Sequence, residues 1–126
     1  EKGEMTISTK KIQEQLTKNL LFPIVLDLLS DRAMCGYELM SIIKKNYGVT
    51  LGASTMYPTL NHLETKKLIT SEWNMDNLRP KKVYKLTHEG QDVLHYSIGS
   101  LSLICKTLDN ANAKTDRNME IGVLIG

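Results

Sequence analysis

The chain of 126 residues has only two cysteines, Cys35 and Cys105, far apart and in no CxxC pair. Lone thiols in apolar surroundings are more often buried than bridged or metal-bound. Neither a disulfide framework nor a metal centre is therefore expected, and a reducing, cytoplasmic setting is. Long hydrophobic runs are also missing. The longest, Leu20 to Leu29, is broken by Pro23 and Asp27 and is too short and too polar to span a bilayer, and no signal peptide is apparent. There is no glycine-rich phosphate loop, no HExxH and no nucleophile motif, so neither an enzyme nor a cofactor is expected. An opening Glu1 with no methionine before it is expected of a chain trimmed from a longer one.

What is present is an uneven charge. The net value is only +2, but Lys44 to Glu89 carries eight Lys/Arg against four acids, and the rest carries eight against ten. The middle is thus +4 and the flanks together −2, which points to a polyanionic partner for the middle segment.

Within that middle, the stretch from Leu51 to Lys67 organises the rest. Met56, Leu60 and Leu63 fall at i, i+4 and i+7, the spacing of one buried helix side. The other side offers Ser54, Thr55, Thr59, Asn61 and His62, neutral groups that donate and accept hydrogen bonds, and Lys66 and Lys67 follow at the far end. Neutral side chains of this kind suit base edges and the lysines suit phosphates, although any solvated amphipathic helix has a similar outline. Pro58 is tolerated near a first turn, as it would be with Ser54 as the cap, so the helix is expected to start near Gly52 to Thr55, with Ser54 or Thr55 at its N-terminus.

Upstream, residues up to about Thr9 read as a mobile arm. Ser8 or Thr9 then caps a helix whose stripe is Ile12, Leu16 and Leu20. Pro23 predicts a kink or a fresh helix start, after which Ile24, Val25, Leu28 and Leu29 form a denser stripe. Asp31 to Met34 reads as a connection. Gly36 to Tyr47 predicts the next helix, with Tyr37, Met40, Ile43 and Tyr47 on one side and Gly48 closing it. Two helices joined by a short turn, the second polar-faced, make a helix-turn-helix.

Downstream the period changes to two. Leu68 to Trp73 and Lys82 to Leu86 alternate, and Asn74 to Pro80 between them is turn chemistry. A two-strand hairpin after a helix-turn-helix makes a winged helix. Its distal half carries Arg79, Lys81 and Lys82, suited to phosphates or a minor groove, though lysines also guard edge strands against aggregation. Tyr37 and Tyr84 read as packing residues and Trp73 as a core or strand-pair aromatic. Thr87 caps a last helix with Gly90 in its first turn. The stripe Leu94, Ile98, Leu101, Cys105 and Leu108, widened by Val93 and Ile104, is a heptad-like seam. Such a seam is most simply buried against a second copy, or against that copy's Ile12 and Leu16. Asp109 to Asn118 reads as loose, and the apolar Met119 to Ile125 has no assigned place.

The fold class expected is therefore mainly α with a small β-hairpin (α+β): a winged helix-turn-helix plus N- and C-terminal dimerisation helices. Residues 1–19 would form the arm and the start of the first helix, 20–90 the winged-helix domain, and 91–126 the dimerisation helix and tail. This pattern resembles the PadR-type transcriptional regulators over roughly Leu20 to Leu94. The segments that carry the likeness are Gly36-Tyr37-Glu38-Leu39, Thr55 to Leu60 with Leu63-Glu64, Leu68-Ile69 leading to Trp73, and Lys81 to Thr87 with Gly90. Ser54 and Lys67 stand where that family usually has glycine, which implies a different turn into the wing at Lys67. His62 stands where many relatives have arginine.

The resemblance implies a cytoplasmic homodimer that binds double-stranded DNA at a pseudo-palindromic operator, a repressor released by a small-molecule effector. It carries over Ser54, Thr55, Tyr57 and His62 as DNA contacts, with Arg79, Lys81 and Lys82 from the wing. Thr59, Asn61 and Lys66 join them from the polar face, and Tyr57 could equally belong partly to the core. Two other readings stay open. One is a metal-responsive regulator using His88 and His95, although these lie two helical turns apart; the other is a protein–protein adaptor using the same wing.

Overall fold

The computed structural model describes residues 8–76 and 78–125, and of side chains those up to residue 111. It comprises α1 (Thr9–Asn19), α2 (Leu21–Asp31), β1 (Met34–Cys35), α3 (Gly36–Tyr47), α4 (Ala53–Thr65), β2 (Ile69–Asn74), β3 (Lys81–Leu86) and α5 (His88–Ile125). The fold class is α+β, five helices with a small antiparallel sheet, as expected. Two compact units are present, Glu1–Leu94 and His95–Gly126. Most of the expected arm lies outside the described residues.

Ser8 caps α1, its Oγ accepting from the Lys11 amide at 3.1 Å. Pro23 lies at the third position of α2, where its missing amide costs nothing, so the helix starts afresh at Leu21. Leu21, Ile24, Val25, Leu26 and Leu29 of α2 are all buried, and they form one core with Leu39 and Ile43 of α3 and Met56, Leu60 and Leu63 of α4. Glu38 fixes the start of α3: its carboxylate accepts from the Cys35 amide at 3.0 Å and pairs with Arg32 at 3.2 Å. The amide bond from Cys35 is the main reason its carboxyl sits below the ordinary value; burial opposes it and Arg32 assists.

The segment read as a plain connection contains a strand. Met34 and Cys35 pair antiparallel with Tyr84 and Val83, so the sheet has three strands in the order β1-β3-β2 rather than two. Between β2 and β3 the register runs from Ile69 opposite Leu86 to Asn74 opposite Lys81. Ile69 and Tyr84 face inward and are buried.

Four further expectations are corrected. The helix α4 starts within the expected span, but its cap is Gly52 rather than Ser54, since the Met56 amide already bonds the Gly52 carbonyl at 3.0 Å. Pro58 is thus in the second turn, where it denies the Ser54 carbonyl its usual helical donor. Tyr37 is 74% exposed and does not share the buried side of α3. Leu94 is 4% exposed, buried in the core of its own unit, so it is not available to a dimer seam. Finally, 109–118 is not loose: α5 runs unbroken to Ile125. Ala111, Ala113, Lys114 and Arg117 are strong helix formers, and neither proline nor glycine interrupts them. The side chains of Met119 to Ile125 lie outside the described residues.

At Lys67 the turn into the wing is left-handed. The φ of Lys67 is +64°, and the Lys67 and Leu68 amides bond the Glu64 and Leu63 carbonyls at 2.9 and 3.0 Å. These two bonds are a Schellman close, with lysine in the left-handed position that glycine fills without strain. Thr87 Oγ1 accepts from the Gly90 amide at 3.0 Å and donates to the Lys67 carbonyl at 2.8 Å, so one side chain caps α5 and ties it to this turn. A Cβ on Gly90 would run into the Leu68 carbonyl and come within 2.6 Å of Leu86 Cδ1, which is why the first turn of α5 needs glycine. Replacing Lys67 with Gly is expected to stabilise the protein by roughly 0.5–1 kcal/mol. A thermal melt checks this, and a lower Tm would contradict it.

Candidate nucleic-acid interface

Because Met56, Leu60 and Leu63 are locked in the core, the opposite side of α4 is fixed outward. Ser54, Tyr57, Pro58, Asn61 and Thr65 form its exposed stripe, with His62 and Lys66 also exposed and Thr55 and Thr59 half-buried. Some of this polar capacity is already used within the helix. Thr59 Oγ1 donates to the Thr55 carbonyl at 3.1 Å and Thr65 Oγ1 to the Asn61 carbonyl at 2.9 Å. The amide group of Asn61 is the side chain on this stripe best suited to paired donor and acceptor contacts.

The wing reaches the same place by a different rule. On the inward face of the hairpin, Ile69 opposite Leu86 and Ser71 opposite Tyr84 are followed by Trp73 opposite Lys82. The core ends at Tyr84, so the next pair on that face projects beyond it. Trp73 is 61% exposed and is a strand-pair aromatic rather than a core one. The Lys82 ammonium stands 6.0 Å from the Tyr84 ring centroid. Ser71 Oγ donates to a Glu64 carboxylate oxygen at 2.6 Å, fixing the end of α4 to β2.

The result is a groove of about 890 Å³ between the start of α3, the face of α4 and the wing. Tyr57 and Asn61 line it from α4, and Trp73, Arg79, Lys81 and Lys82 from the hairpin. Five residues chosen from the sequence thus meet in one groove: Tyr57, Asn61, Arg79, Lys81 and Lys82. Ser54, Thr55, Thr59 and His62 lie on α4 and Lys66 at its C-cap, and none is part of the groove lining.

Sequence reasoning missed the other groove residues, the exposed aromatics Tyr37 and Trp73 among them. Tyr37 enters from the first turn of α3, and Trp73 turns into the groove instead of the core. For Trp73 a signal was available, since its cross-strand neighbour on the inward face is a lysine. Tyr84, buried at the base of the groove, has its hydroxyl pushed above the usual tyrosine range, first by burial and then by Glu64 and Tyr57 nearby. Cations on the rim, aromatic walls and a neutral amide can together hold a phosphate backbone and approach base edges.

The metal-sensing alternative finds no support in geometry. Among the described residues no three His, Cys, Asp or Glu are grouped to hold a metal ion. His88 lies 4.0 Å from Asp92, and the His95 ring meets Tyr96 edge-on. Also among the described residues, no helix is long and apolar enough to cross a membrane.

Comparison with known proteins agrees with this geometry. A crystal structure of a PadR family transcriptional regulator from Eggerthella lenta superposes with a TM-score of 0.69 at 29% identity, covering 76% of this chain and 84% of that one. A PadR-like transcriptional regulator from Bacillus cereus gives 0.67 at 26% identity, covering 76% and 94%. The transcriptional activator GvpE of Haloferax mediterranei is 34% identical over 82 residues, 65% of this chain. The chain spans only 38% of that relative's length. The family model for PadR-like transcriptional regulators matches residues 25–96, more than half of the sequence. The chain therefore belongs to the PadR-like family of transcriptional regulators.

Proposed function

We propose that the protein is a homodimeric, cytoplasmic repressor that grips a pseudo-palindromic operator with two copies of the groove and is released by a small-molecule effector. The observation that carries the DNA mode is the convergence of Tyr57 and Asn61 with Arg79, Lys81 and Lys82 in one groove. Asn61 and Tyr57 would face base edges, with Ser54, Thr55, Thr59 and His62 beside them on α4. Lys66 and the wing cations would follow the phosphates, with half-site centres about 34 Å or a multiple apart. In this reading residues 20–90 are the DNA-binding domain, 1–19 the arm and start of α1, and 91–126 the dimerisation helix and tail. The sense of regulation rests on the family resemblance alone, and the GvpE relative is an activator.

The dimer is supported by apolar exposure. Ile98, Ile104 and Leu108 of α5 are more than half exposed, as is Leu103, and Ile12 and Leu16 of α1 are about half exposed. Each such half-exposed side chain withdrawn from water contributes on the order of 1 kcal/mol. Ile98, Leu101, Cys105 and Leu108 form one seam. Tyr96 and Leu103, also exposed, stand on the far side of the helix, so one helix-to-helix seam would not cover everything. A second copy offering both its own seam and its Ile12 and Leu16 face would. An effector would act by changing the spacing of the two grooves through this interface.

Selection of duplexes from a random pool tests the reading: it should return a two-fold repeat, and an unrelated or empty pool would refute it. On the selected duplex, replacing Lys81 and Lys82 with Ala should weaken binding on all sequences alike and flatten the salt dependence by about 0.9 in slope per lost phosphate contact. A loss confined to one sequence would contradict a phosphate role. Leu101→Asp should give monomers in sedimentation and a much weaker complex. A variant that stays dimeric would show that the seam lies elsewhere.

A further inference from the structure

Gly36, the first residue of α3, is buried and does not have the positive φ that calls for glycine. Glycine is also a poor helix former, so neither backbone nor propensity accounts for it. What accounts for it is the neighbour. A Cβ built on Gly36 would fall 2.6 Å from Tyr57 Cζ and 2.7 Å from Cε1, and nearer still to the hydroxyl. The outer edge of the Tyr57 ring therefore rests on the bare backbone at the start of α3. Tyr57 stems from the exposed stripe of α4, is 37% exposed and lines the groove.

A tyrosine on a helix surface chooses among several rotamers. Here the choice is constrained from a second helix. Were the ring free to swing, its hydroxyl would be offered over a range of positions and would lose conformational entropy on binding. With Gly36 beneath it, the ring edge and its hydroxyl are held against the start of α3, on the wall of the groove. We propose that Gly36 is a positioning residue for DNA reading: it seats Tyr57 so that the phenol is presented in the groove in one orientation. This rests on the groove being the DNA site. The atoms a Cβ would meet belong to the far end of a side chain, not to backbone. A side chain at 36 would therefore tip the ring out and leave the helices in place.

The test is a double-mutant cycle on the selected duplex with Gly36→Ala, Tyr57→Ala and their combination, each followed by melting and by binding across a salt series. Gly36→Ala is expected to melt close to the wild type, since alanine is the better helix former. It should bind roughly tenfold more weakly, as should Tyr57→Ala, and the double variant should be no weaker than Tyr57→Ala alone. The salt slope should be the same in all four proteins, because no charge is removed.

Wild-type affinity in Gly36→Ala would overturn the proposal. So would a loss that is equally large in the Tyr57→Ala background, which would place the effect in the backbone of α3. A Gly36→Ala protein that melts far below the wild type, with stability restored in the double variant, would show the ring to be packing only and would also overturn it. A wild type that retains no duplex refutes the DNA reading itself, and is thereby told apart from a failure of the Gly36 argument.

Discussion

The burial of Met56, Leu60 and Leu63, each 1% exposed or less, is the constraint on which the rest of the site depends. These three side chains insert the inner stripe of α4 into a core built by α2 and α3. Close-packed interiors tolerate little rotation, since turning the helix would exchange filled contacts for voids. The outward stripe of Ser54, Tyr57, Asn61 and Thr65 is consequently not a flexible display but the fixed reverse of a packed face. The turn at Lys67 and the Ser71 to Glu64 hydrogen bond then hold the far end of the helix to the sheet.

The wing inherits its direction from the same core. Strand alternation places Ile69, Ser71 and Trp73 on one face, and the core fills only the space beneath the first two of their cross-strand pairs. Past Tyr84 the inward face has nothing left to cover, so Trp73 and Lys82 become groove walls while the backbone ladder continues unchanged. The short β1 strand, pairing Met34 and Cys35 with β3, brings the start of α3 against the same ladder. That is how Tyr37 and Gly36 come to border a groove otherwise built by α4 and the hairpin. Three elements that are separate in sequence share one concave surface because each is fastened to β3 or to the core beside it.

Much of this was legible in the sequence. The 3.6-residue spacing of Met56, Leu60 and Leu63 and the alternation on either side of Asn74 to Pro80 report burial directly, and burial sets the element types. Ser8, Gly48 and Thr87 marked helix ends because each has a distinct local chemistry. What was illegible depended on contacts distant in sequence. A strand of two residues, Met34–Cys35, has no period to detect. Leu94 continues the seam by spacing, but its place in the core is decided by where Thr87 turns the chain. Tyr37 looked like a packing residue because an aromatic on a helix usually is one, and only the fold shows the core ending before it. Lys67 illustrates the converse: its residue type argues against a left-handed turn, yet the hydrogen bonds of Lys67 and Leu68 impose one.

In the proposed complex α4 and the wing act as one surface on the same stretch of DNA. Photo-crosslinking tests it most directly, with a reactive group placed at position 61 on α4 in one protein and at position 82 on β3 in another, and adducts mapped on the selected duplex. Adducts are expected from both positions within the same half-site, a few base pairs apart. Adducts from position 82 alone, or from the two positions in unrelated parts of the duplex, would contradict it.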